Sequence, residues 1–468
     1  MKLIIRTFLI LVYTLLLYPV KAQSGYEIKA QIEGVQDSMC YLANYFGNKQ
    51  YIQDSVKADN QGNIKFSGEE SLPGGIYLIV MPASKYFEIM VDKDQEFELK
   101  TNYADPVNQM QITGSVDNTD FYSYLKYVTK KGQEVAPLRS QLESATDQAT
   151  KDAIKVKVEV IDAEVLDYRK EFIKNKPESL LAQLLKVTID VEIPEAPKNA
   201  DGSTDSTFAF RYYKEHYFDN LNLKDDRMVR TPIFHPKIEQ YMTKLTAQMP
   251  DSIIASADML ISKLDPKSEN FRYVIWWITN NYETSKYMGM DAVFVHMAKT
   301  YYTPEIAYWV DEVQLFKIKE RAKVLEPILL GKKVRNLTLA DVNNKYQSLY
   351  NITADYTILY FWDPDCGHCK KVTPLLKEYY EKPKATTLEI YAVCTEVEMD
   401  KWREYIKENE LKWINVADPE LKNNFRYEFD ITTTPQIFLL DKEKRIIAKR
   451  IEVETLEKIM EQELNKRK

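Results

Sequence analysis

The sequence predicts a multidomain α+β protein with an N-terminal antiparallel β-sandwich, a central all-α region and a C-terminal α/β domain. Apolar residues alternate with period two over residues 23–115 and recur at spacings of three and four over residues 118–325. From residue 328 to 468 strand-like and helix-like segments alternate along the chain. A length of 468 residues fits several domains. With 45% hydrophobic and 28% charged residues, the composition excludes wholesale disorder and collagen.

Charge and cysteine content narrow the function classes. The formal net charge is −7 and no region is strongly basic, so we expect no nucleic-acid partner. Four cysteines are too few to hold a fold of this size together by disulfides. Two of them, Cys366 and Cys369, lie three positions apart and are the first candidates for a functional site.

The first 22 residues have the pattern of a secretory signal peptide. Lys2 and Arg6 precede an apolar run from Thr7 to Val20, and small Ala22 marks the expected cleavage site. The alternative is an uncleaved membrane anchor, for which the apolar run is short. We therefore expect the protein in the periplasm or cell envelope, where disulfides persist. It would contact the membrane only if this segment is retained.

The N-terminal region predicts short strands joined by turns. Apolar positions alternate in segments around residues 26–32, 64–66, 77–79, 87–91 and 97–99. Cys40 lies in a further predicted strand, Met39–Ala43, where we expect a small buried hydrophobic side chain.

The central region predicts helices separated by one clear loop at residues 191–206. Apolar positions recur at spacings of three and four in Phe121–Val128 and Ile154–Phe172. Further helices are predicted at Phe208–Phe218, Pro236–Gln248, Ser252–Leu264, Phe271–Glu283, Asp291–Tyr302 and Ile306–Arg321. In this region, we expect His296 to be a satisfied core histidine and Trp276-Trp277 to be core or interface, although an aromatic binding surface is an alternative.

The C-terminal region predicts alternating strands and helices, which favours a central sheet with helices on both faces. An extended lead-in at Leu329–Asp341 comes first. The predicted strands are Thr357–Trp362, Leu388–Val393, Trp413–Val416, Gln436–Leu440 and Arg445–Lys449. The predicted helices are Cys366–Tyr380, Met399–Asn409 and Val453–Lys466.

The Cys366-Gly367-His368-Cys369 motif carries the chemistry. Its first cysteine falls where a helix begins, and the unpaired amides there favour a thiolate that can attack a disulfide. His368, when protonated, would stabilise that thiolate further. Cys369 lies one turn on, where it can attack a mixed disulfide and release the product. Gly367 allows close approach of a partner's backbone. A zinc site needs four ligands, and the other Cys and His residues lack suitable spacing, so we expect no metal.

These residues resemble the thioredoxin family. The likeness rests on Phe361-Trp362, the motif, Pro374 and the pair Thr434-Pro435 before a predicted strand. The resemblance implies an α/β thioredoxin fold over roughly residues 328–465, a cis Pro435 facing the dithiol, and Trp362 beside it. It also implies that Thr434 offers backbone hydrogen bonds to a bound partner. The lead-in and the added length before Pro435 look more like the extracytoplasmic TlpA-like branch than minimal thioredoxin.

One position departs from the family. Thioredoxin has a buried aspartate six positions before its first cysteine, thought to assist proton transfer, and this sequence has Tyr360 there. The proton-handling group therefore stays open. The regions before the C-terminal domain resemble uncharacterised domains that precede thioredoxin domains in secreted proteins of Bacteroidota, which implies no chemistry.

Together these features predict an extracytoplasmic thiol–disulfide oxidoreductase that needs no cofactor beyond the Cys366–Cys369 disulfide. Its partners would be thiols and disulfides of envelope proteins, with a membrane thiol as electron donor if it is a reductase. The TlpA-like features favour a reductase, whereas the Gly-His dipeptide favours a reduction potential of about −180 mV, as in disulfide isomerase.

The alternative functions are a thiol peroxidase and a client-binding or ligand-binding module to which the redox domain is subordinate. Cys394 is either a third redox thiol or, as we expect, a buried inert one.

Overall fold

The structure is a computed structural model that describes residues 25–383 and 386–466. The predicted signal peptide at residues 1–22 lies outside the described residues. Within the described ranges, no helix combines the length and apolar character needed to cross a membrane. The chain forms two compact units. The first contains residues up to Thr246 together with Ser262–Tyr273, and the second contains Ala247–Ile261 together with the residues from Val274 onward.

Eight strands form two four-stranded sheets in the first unit, ordered β4-β1-β7-β8 and β3-β2-β5-β6. Each sheet buries most of its apolar side chains, including Ile28, Leu42 and Phe66. Cys40 is fully buried among them, as expected. The strands are β1 (Tyr26–Glu33), β2 (Met39–Phe46), β3 (Lys49–Lys57), β4 (Asn63–Gly68), β5 (Gly75–Val80), β6 (Tyr86–Val91), β7 (Glu96–Asn102) and β8 (Gln111–Thr113).

One strand pair differs from the expected antiparallel arrangement. Strands β1 and β7 pair in parallel, with Ile28 opposite Phe97. Between β1 and β7 the chain forms the strands of the other sheet. A connection of this length can return the chain so that the two strands run in the same direction, whereas a hairpin can only join antiparallel strands.

Nine α-helices are described between the β-rich regions. The two longest are α1 (Val116–Ser144) and α2 (Gln148–Asn175). Ser115 and Asp147 cap them by accepting hydrogen bonds from the amides of Asn118 and Thr150. The others are α3 (Leu180–Val187), α4 (Phe208–Glu215), α5 (Phe234–Thr243), α6 (Pro250–Ser262), α7 (Glu269–Glu283), α8 (Asp291–Thr300) and α9 (Glu312–Leu325).

The start of α9 differs from the prediction. The apolar spacing predicted a helix from Ile306, but the helix begins at Glu312. Residues 303–310 form turns, and the Asp311 side chain then caps the helix by accepting a hydrogen bond from the Gln314 amide. A capping carboxylate fixes a helix start more firmly than apolar spacing does.

A seven-stranded mixed sheet forms the centre of the C-terminal region, in the order β10-β9-β13-β12-β11-β14-β15. Strands β11, β12 and β13 are parallel, and β14 runs antiparallel beside β11. The strands are β9 (Thr338–Asp341), β10 (Tyr346–Ser348), β11 (Tyr356–Trp362), β12 (Leu388–Cys394), β13 (Ile414–Ala417), β14 (Gln436–Leu440) and β15 (Ile446–Lys449). The helices are α10 (Gly367–Glu381), α11 (Met399–Glu408), α12 (Phe425–Glu428) and α13 (Val453–Lys466).

Helices cover both faces of this sheet, and the predicted α+β fold class is confirmed. On one face, Tyr360 and Trp362 of β11 join a buried cluster with residues of α10, α11 and α13. On the other face, Phe361 joins a cluster that includes Phe294 of α8 and Leu325 of α9. Helices that precede the predicted C-terminal domain in the sequence therefore contribute to its core.

Candidate active site

The Cys366 sulfur lies at the N-terminus of α10. Every side chain of β11 is buried, so the strand is anchored in the sheet up to Trp362. The chain then turns, with the Cys366 amide donating to the Asp363 carbonyl at 3.2 Å. Cys366 is the N-cap residue, and its Sγ accepts a hydrogen bond from the Cys369 amide at 3.4 Å. A free helix amide therefore points at the sulfur that the sequence predicts to be the nucleophile.

The Thr434-Pro435 pair lies against this sulfur. The peptide bond between the two residues is cis. The Cys366 Sγ donates to the Thr434 carbonyl oxygen at 3.5 Å. Strand pairing explains the proximity, since β14 begins directly after Pro435 and its Gln436 is paired with Phe361 of β11. The fold thus brings together residues that are 68 positions apart in the sequence.

The two thiols of the motif lie in unequal environments. Partial burial acts to raise the pKa of Cys366, but hydrogen bonds from the amide and the side chain of Cys369, and from the side chain of Thr434, outweigh it. The amide of His368 adds to them, so the net pKa of Cys366 lies below its ordinary value. Cys369 is 1% exposed. Its burial, followed by its hydrogen bond to Cys366, raises its pKa to about 12. The accessible thiol is therefore the one that ionises first.

Gly367 and His368 are exposed on the first turn of α10. A Cβ atom at Gly367 would meet no heavy atom within 4 Å, so the surface beside the dithiol is open at this point. This openness leaves room for a partner's backbone, and the assigned roles of both residues stay predictions.

Trp362 lies on the inner side of the site. Its side chain is 0% exposed, stacked on Tyr360 with ring centroids 6.2 Å apart and tilted against Tyr405 at 5.3 Å. A partner docked on the surface would therefore touch no part of Trp362 in this conformation. Any contribution of Trp362 to partner binding would act through its neighbours.

Tyr360 occupies the position where an aspartate was expected from the resemblance. Its hydroxyl lies 2.9 Å from the Thr373 Oγ1 in the buried interior. Burial raises the pKa of Tyr360 far above its ordinary value. Sequence reasoning identified Tyr360 but missed Thr373 and Tyr405, because their contacts depend on how α10 and α11 pack on the sheet.

The remaining candidates lie outside the dithiol site. Cys394 ends β12 opposite Trp362, is buried, and accepts a hydrogen bond from the Glu396 amide at 3.4 Å. Burial raises the pKa of Cys394 to about 12, which favours the inert alternative.

A ring nitrogen of His296 lies 2.8 Å from Asp258. Trp276 is partly exposed and Trp277 is buried. Across residues 25–383 and 386–466, no three His, Cys, Asp or Glu side chains are grouped to hold a metal ion.

Comparison with known proteins identifies the C-terminal region. Residues 354–446 match the thioredoxin-like family model. Residues 26–121 and 143–326 match two families described as domains of unknown function, DUF4369 and DUF5106. The predicted thioredoxin-like region and the uncharacterised regions ahead of it are therefore confirmed.

The curated relatives match the same C-terminal part. The thiol-disulfide oxidoreductase ResA of Bacillus cereus is 27% identical over 134 residues, which is 29% of this chain and 76% of that protein. The sporulation thiol-disulfide oxidoreductase A of Bacillus subtilis is 30% identical over 108 residues, covering 22% of this chain and 64% of that protein. These matches confirm the predicted enzyme class, a thioredoxin-like thiol–disulfide oxidoreductase.

Solved structures also resemble parts of the chain. One is a domain of a possible thiol-disulfide isomerase from Cytophaga hutchinsonii, with 40% identity, coverage of 30% of this chain and 96% of that chain, and a TM-score of 0.29. Another is a thioredoxin-like protein from Bacteroides caccae, with 18% identity, coverage of 58% and 99%, and a TM-score of 0.38.

Proposed function

We propose that this protein exchanges disulfides with secreted or envelope proteins through the Cys366-Gly367-His368-Cys369 dithiol, outside the cytoplasm. The observation that carries the proposal is the placement of the Cys366 sulfur. It lies partly exposed at a helix N-terminus, 3.4 Å from a backbone amide and 3.5 Å from the Thr434 carbonyl oxygen. An accessible thiol of lowered pKa beside open backbone groups is suited to attack a disulfide in another protein.

The exchange has two steps. In the reducing direction, the Cys366 thiolate attacks one sulfur of a partner disulfide, forming a mixed disulfide and releasing the other partner sulfur as a thiolate. Cys369 then loses its proton and attacks the Cys366 sulfur, which releases the partner's second thiolate. The partner gains two electrons, and the Cys366–Cys369 disulfide forms in this protein without a separate cofactor. The oxidising direction reverses both steps.

Partner binding is assigned to the surface around Cys366. The backbone of Thr434 and the turn at Pro435 would pair with an extended segment of the partner, as main-chain pairing does at other peptide-binding edges. Gly367 would leave room for that segment, and exposed His368 would add positive charge beside the thiolate when protonated.

The location and the direction of exchange rest on sequence features. The pattern of residues 1–22 supports export, and a reductase there would need a membrane thiol as donor. The Gly-His dipeptide supports a potential of about −180 mV, well above that of thioredoxin at about −270 mV. Equilibration of the full chain with glutathione buffers measures this potential. A value below that of thioredoxin would contradict the inference from the dipeptide.

A trapping experiment tests the proposed function. In the Cys369→Ser variant, Cys366 should form mixed disulfides that cannot be resolved, so envelope proteins should co-purify and separate on reduction. The matched control is the Cys366→Ser/Cys369→Ser double variant, which should trap none. If Cys366 captured no protein and the purified enzyme did not reduce insulin while turning over peroxide rapidly, the thiol peroxidase alternative would replace the proposal.

A further inference from the structure

A cleft with a volume of about 340 Å³ separates helices α7 and α9. Each helix turns one face toward it, since the lining residues recur at spacings of three and four. From α7 they include Trp276, Asn280 and Glu283, and from α9 they include Gln314, Lys317 and Arg321. All of these residues belong to the second compact unit. Two helix faces therefore look at each other across an open space and do not close on it.

The polarity of these faces is unusual for facing helices, which normally meet through apolar side chains. Four of the polar side chains that line the cleft are exposed, namely those of Asn280, Glu283, Gln314 and Lys317. Within the part of the chain that the structure describes, these four side chains form no hydrogen bond or ion pair. Even the opposite charges of Glu283 and Lys317 are not joined. Their hydrogen-bonding capacity is therefore available to a ligand in the cleft.

Trp276 gives the cleft a flat apolar surface. The sequence predicts core, interface or an aromatic binding surface for Trp276-Trp277, and the structure separates the two rings. Trp277 is 6% exposed, whereas Trp276 is 41% exposed and lines the cleft. The face of an aromatic ring carries partial negative charge, which attracts C–H groups. A ligand with a flat face of C–H groups therefore fits against Trp276.

The charges around the cleft disfavour an ionic ligand. Glu283 would repel an anion, and Lys317 would repel a cation, because both line the same space. The guanidinium of Arg321 is already engaged, since it donates to the buried Asp430 carboxylate at 2.6 Å. The arrangement therefore favours a neutral ligand that forms hydrogen bonds.

A peptide segment matches the cleft less well. Both walls are helices, whose backbone groups are paired within each helix and cannot bind an extended strand. A bound helix would need a row of apolar anchor sites. The apolar groups in the lining are those of Trp276, Ile318 and the ring of Tyr302, and Tyr302 is only 3% exposed. One exposed aromatic ring among polar side chains is better suited to a small ligand that is rich in hydroxyl groups.

We propose that this cleft binds a neutral saccharide of one or two rings. The C–H face of one sugar ring would stack on Trp276. The amides of Asn280 and Gln314, which each donate and accept hydrogen bonds, would bind hydroxyls from opposite walls. Glu283 would supply a further acceptor and Lys317 a further donor. The cleft volume lies near the lower end of the range for small-ligand sites, about 300–1,000 Å³. This site goes beyond the disulfide exchange proposed above and does not depend on it.

Binding of the full chain to an array of immobilised glycans tests the proposal. The array presents neutral oligosaccharides of glucose, mannose, galactose, xylose and N-acetylhexosamines, each beside a counterpart with added carboxylate or sulfate groups. We expect at least one neutral series to bind and its charged counterparts to bind more weakly. Isothermal titration calorimetry with the disaccharide of the strongest series then measures affinity. Trp276→Ala should weaken binding about tenfold, and Asn280→Ala and Gln314→Ala about fivefold each.

Phe316→Ala is the matched control. It removes an aromatic ring from α9 that is 65% exposed and is not part of the cleft lining, so affinity should be unchanged. Because Asn280 and Gln314 are exposed, their variants should keep the melting temperature of the unaltered protein, and their loss of affinity then cannot come from unfolding.

Three results would overturn the saccharide site. They are an unaltered chain that binds no neutral glycan, charged glycans that bind more tightly than neutral ones, and full affinity in the three cleft variants. Insulin reduction by the unaltered protein tests the disulfide exchange separately. Failure of the saccharide site is therefore distinguishable from failure of the proposed function.

Discussion

The two sulfur atoms of the motif are chemically unequal although only one helical turn separates them. Cys366 is held at the helix start, where amide hydrogen bonds favour its thiolate. Cys369 belongs to the buried cluster that packs on one face of the sheet, where burial disfavours the charged thiolate. The protein therefore presents one nucleophile to partners and keeps the second for intramolecular attack.

Alkylation should reveal this difference in the reduced full chain. With iodoacetamide, we expect Cys366 to reach half-maximal reactivity below the pKa of a free cysteine, about 8.5. Because Cys369 has a pKa near 12 and is buried, it should stay unmodified between about pH 6 and 9. Peptide mass spectrometry measures each site. Faster labelling of Cys369 than of Cys366 would contradict the assignment of roles.

Cys394 should be dispensable for exchange. Its sulfur is buried at the end of β12 and its pKa is raised to about 12, so it is a poor nucleophile. We expect Cys394→Ala to reduce insulin at an unchanged rate and to lose about 1 kcal/mol of unfolding free energy through the small cavity. Cys369→Ala, which removes the resolving thiol, is the comparison. A loss of activity in Cys394→Ala without loss of fold would indicate a third redox thiol.

Single residues were predictable where a motif fixes them. The spacing of Cys366 and Cys369 and the Thr434-Pro435 pair are visible in the sequence, and the structure brings them within hydrogen-bond distance. Thr373 and Tyr405 have no such signal, since a threonine or tyrosine in an amphipathic helix is ordinary. Trp362 was expected near the dithiol, but its complete burial depends on the packing of α11.

An ion cluster joins α9 to the segment ahead of Thr434. The buried Asp430 carboxylate accepts a hydrogen bond from Arg321 of α9 at 2.6 Å and another from Arg450. Asp430 lies four residues before Thr434, so this cluster anchors the loop that carries the proposed binding surface. A helix from the central region thereby supports the redox site.

Replacing this carboxylate should weaken the protein in a pH-dependent way. Burial acts to raise the pKa of Asp430, but Arg321 and then Arg450 lower it below the ordinary value. The stabilisation is therefore present above the unfolded pKa, about 3.9, and is lost as the pH falls toward the lower folded pKa. We expect Asp430→Asn to lose about 2 kcal/mol at pH 7.

Thermal unfolding of both proteins at several pH values checks this prediction. The difference in stability between Asp430→Asn and the unaltered protein should shrink below about pH 4, as the native carboxylate becomes protonated. A difference that stays constant down to pH 2 would show that the loss comes from packing and not from charge.

Helix α8 should be part of the cooperative core of the redox region. Phe294 is 0% exposed and belongs to the same cluster as Phe361 of the central strand. We expect Phe294→Ala to cost about 3–5 kcal/mol of unfolding free energy. The matched control, Phe316→Ala on α9, removes a ring that is 65% exposed and should cost less than about 0.5 kcal/mol. Chemical denaturation followed by circular dichroism measures both, and equal losses would contradict the packing argument.

Whole elements were predictable where their periodicity was strong. The buried strands and the amphipathic helices of the C-terminal region lie close to their predicted positions. Strand β3 was missed because its side chains, such as Ile52, are largely exposed and leave no alternating pattern. The start of α9 was placed too early because capping by Asp311 outweighs apolar spacing.

The organisation of the whole chain was only partly visible in the sequence. Pattern changes predicted a β region, a helical region and an α/β region, and that division at residues 115–118 and 325–328 stays a prediction. The contribution of α8 and α9 to the core around Phe361 could not be inferred, because pattern analysis treats each helix without its tertiary partner.

The regions that match families of unknown function should select clients and not perform the chemistry. We expect a fragment of residues 247–468, which contains the whole second compact unit, to reduce insulin as fast as the full chain, since the dithiol and its supporting helices are retained. In the Cys369→Ser background, however, this fragment should trap fewer native envelope proteins than the full chain does. Quantitative mass spectrometry of the mixed disulfides compares the two, with the double cysteine variant of each as control. If both captured the same proteins in equal amounts, the preceding residues would have no part in client choice.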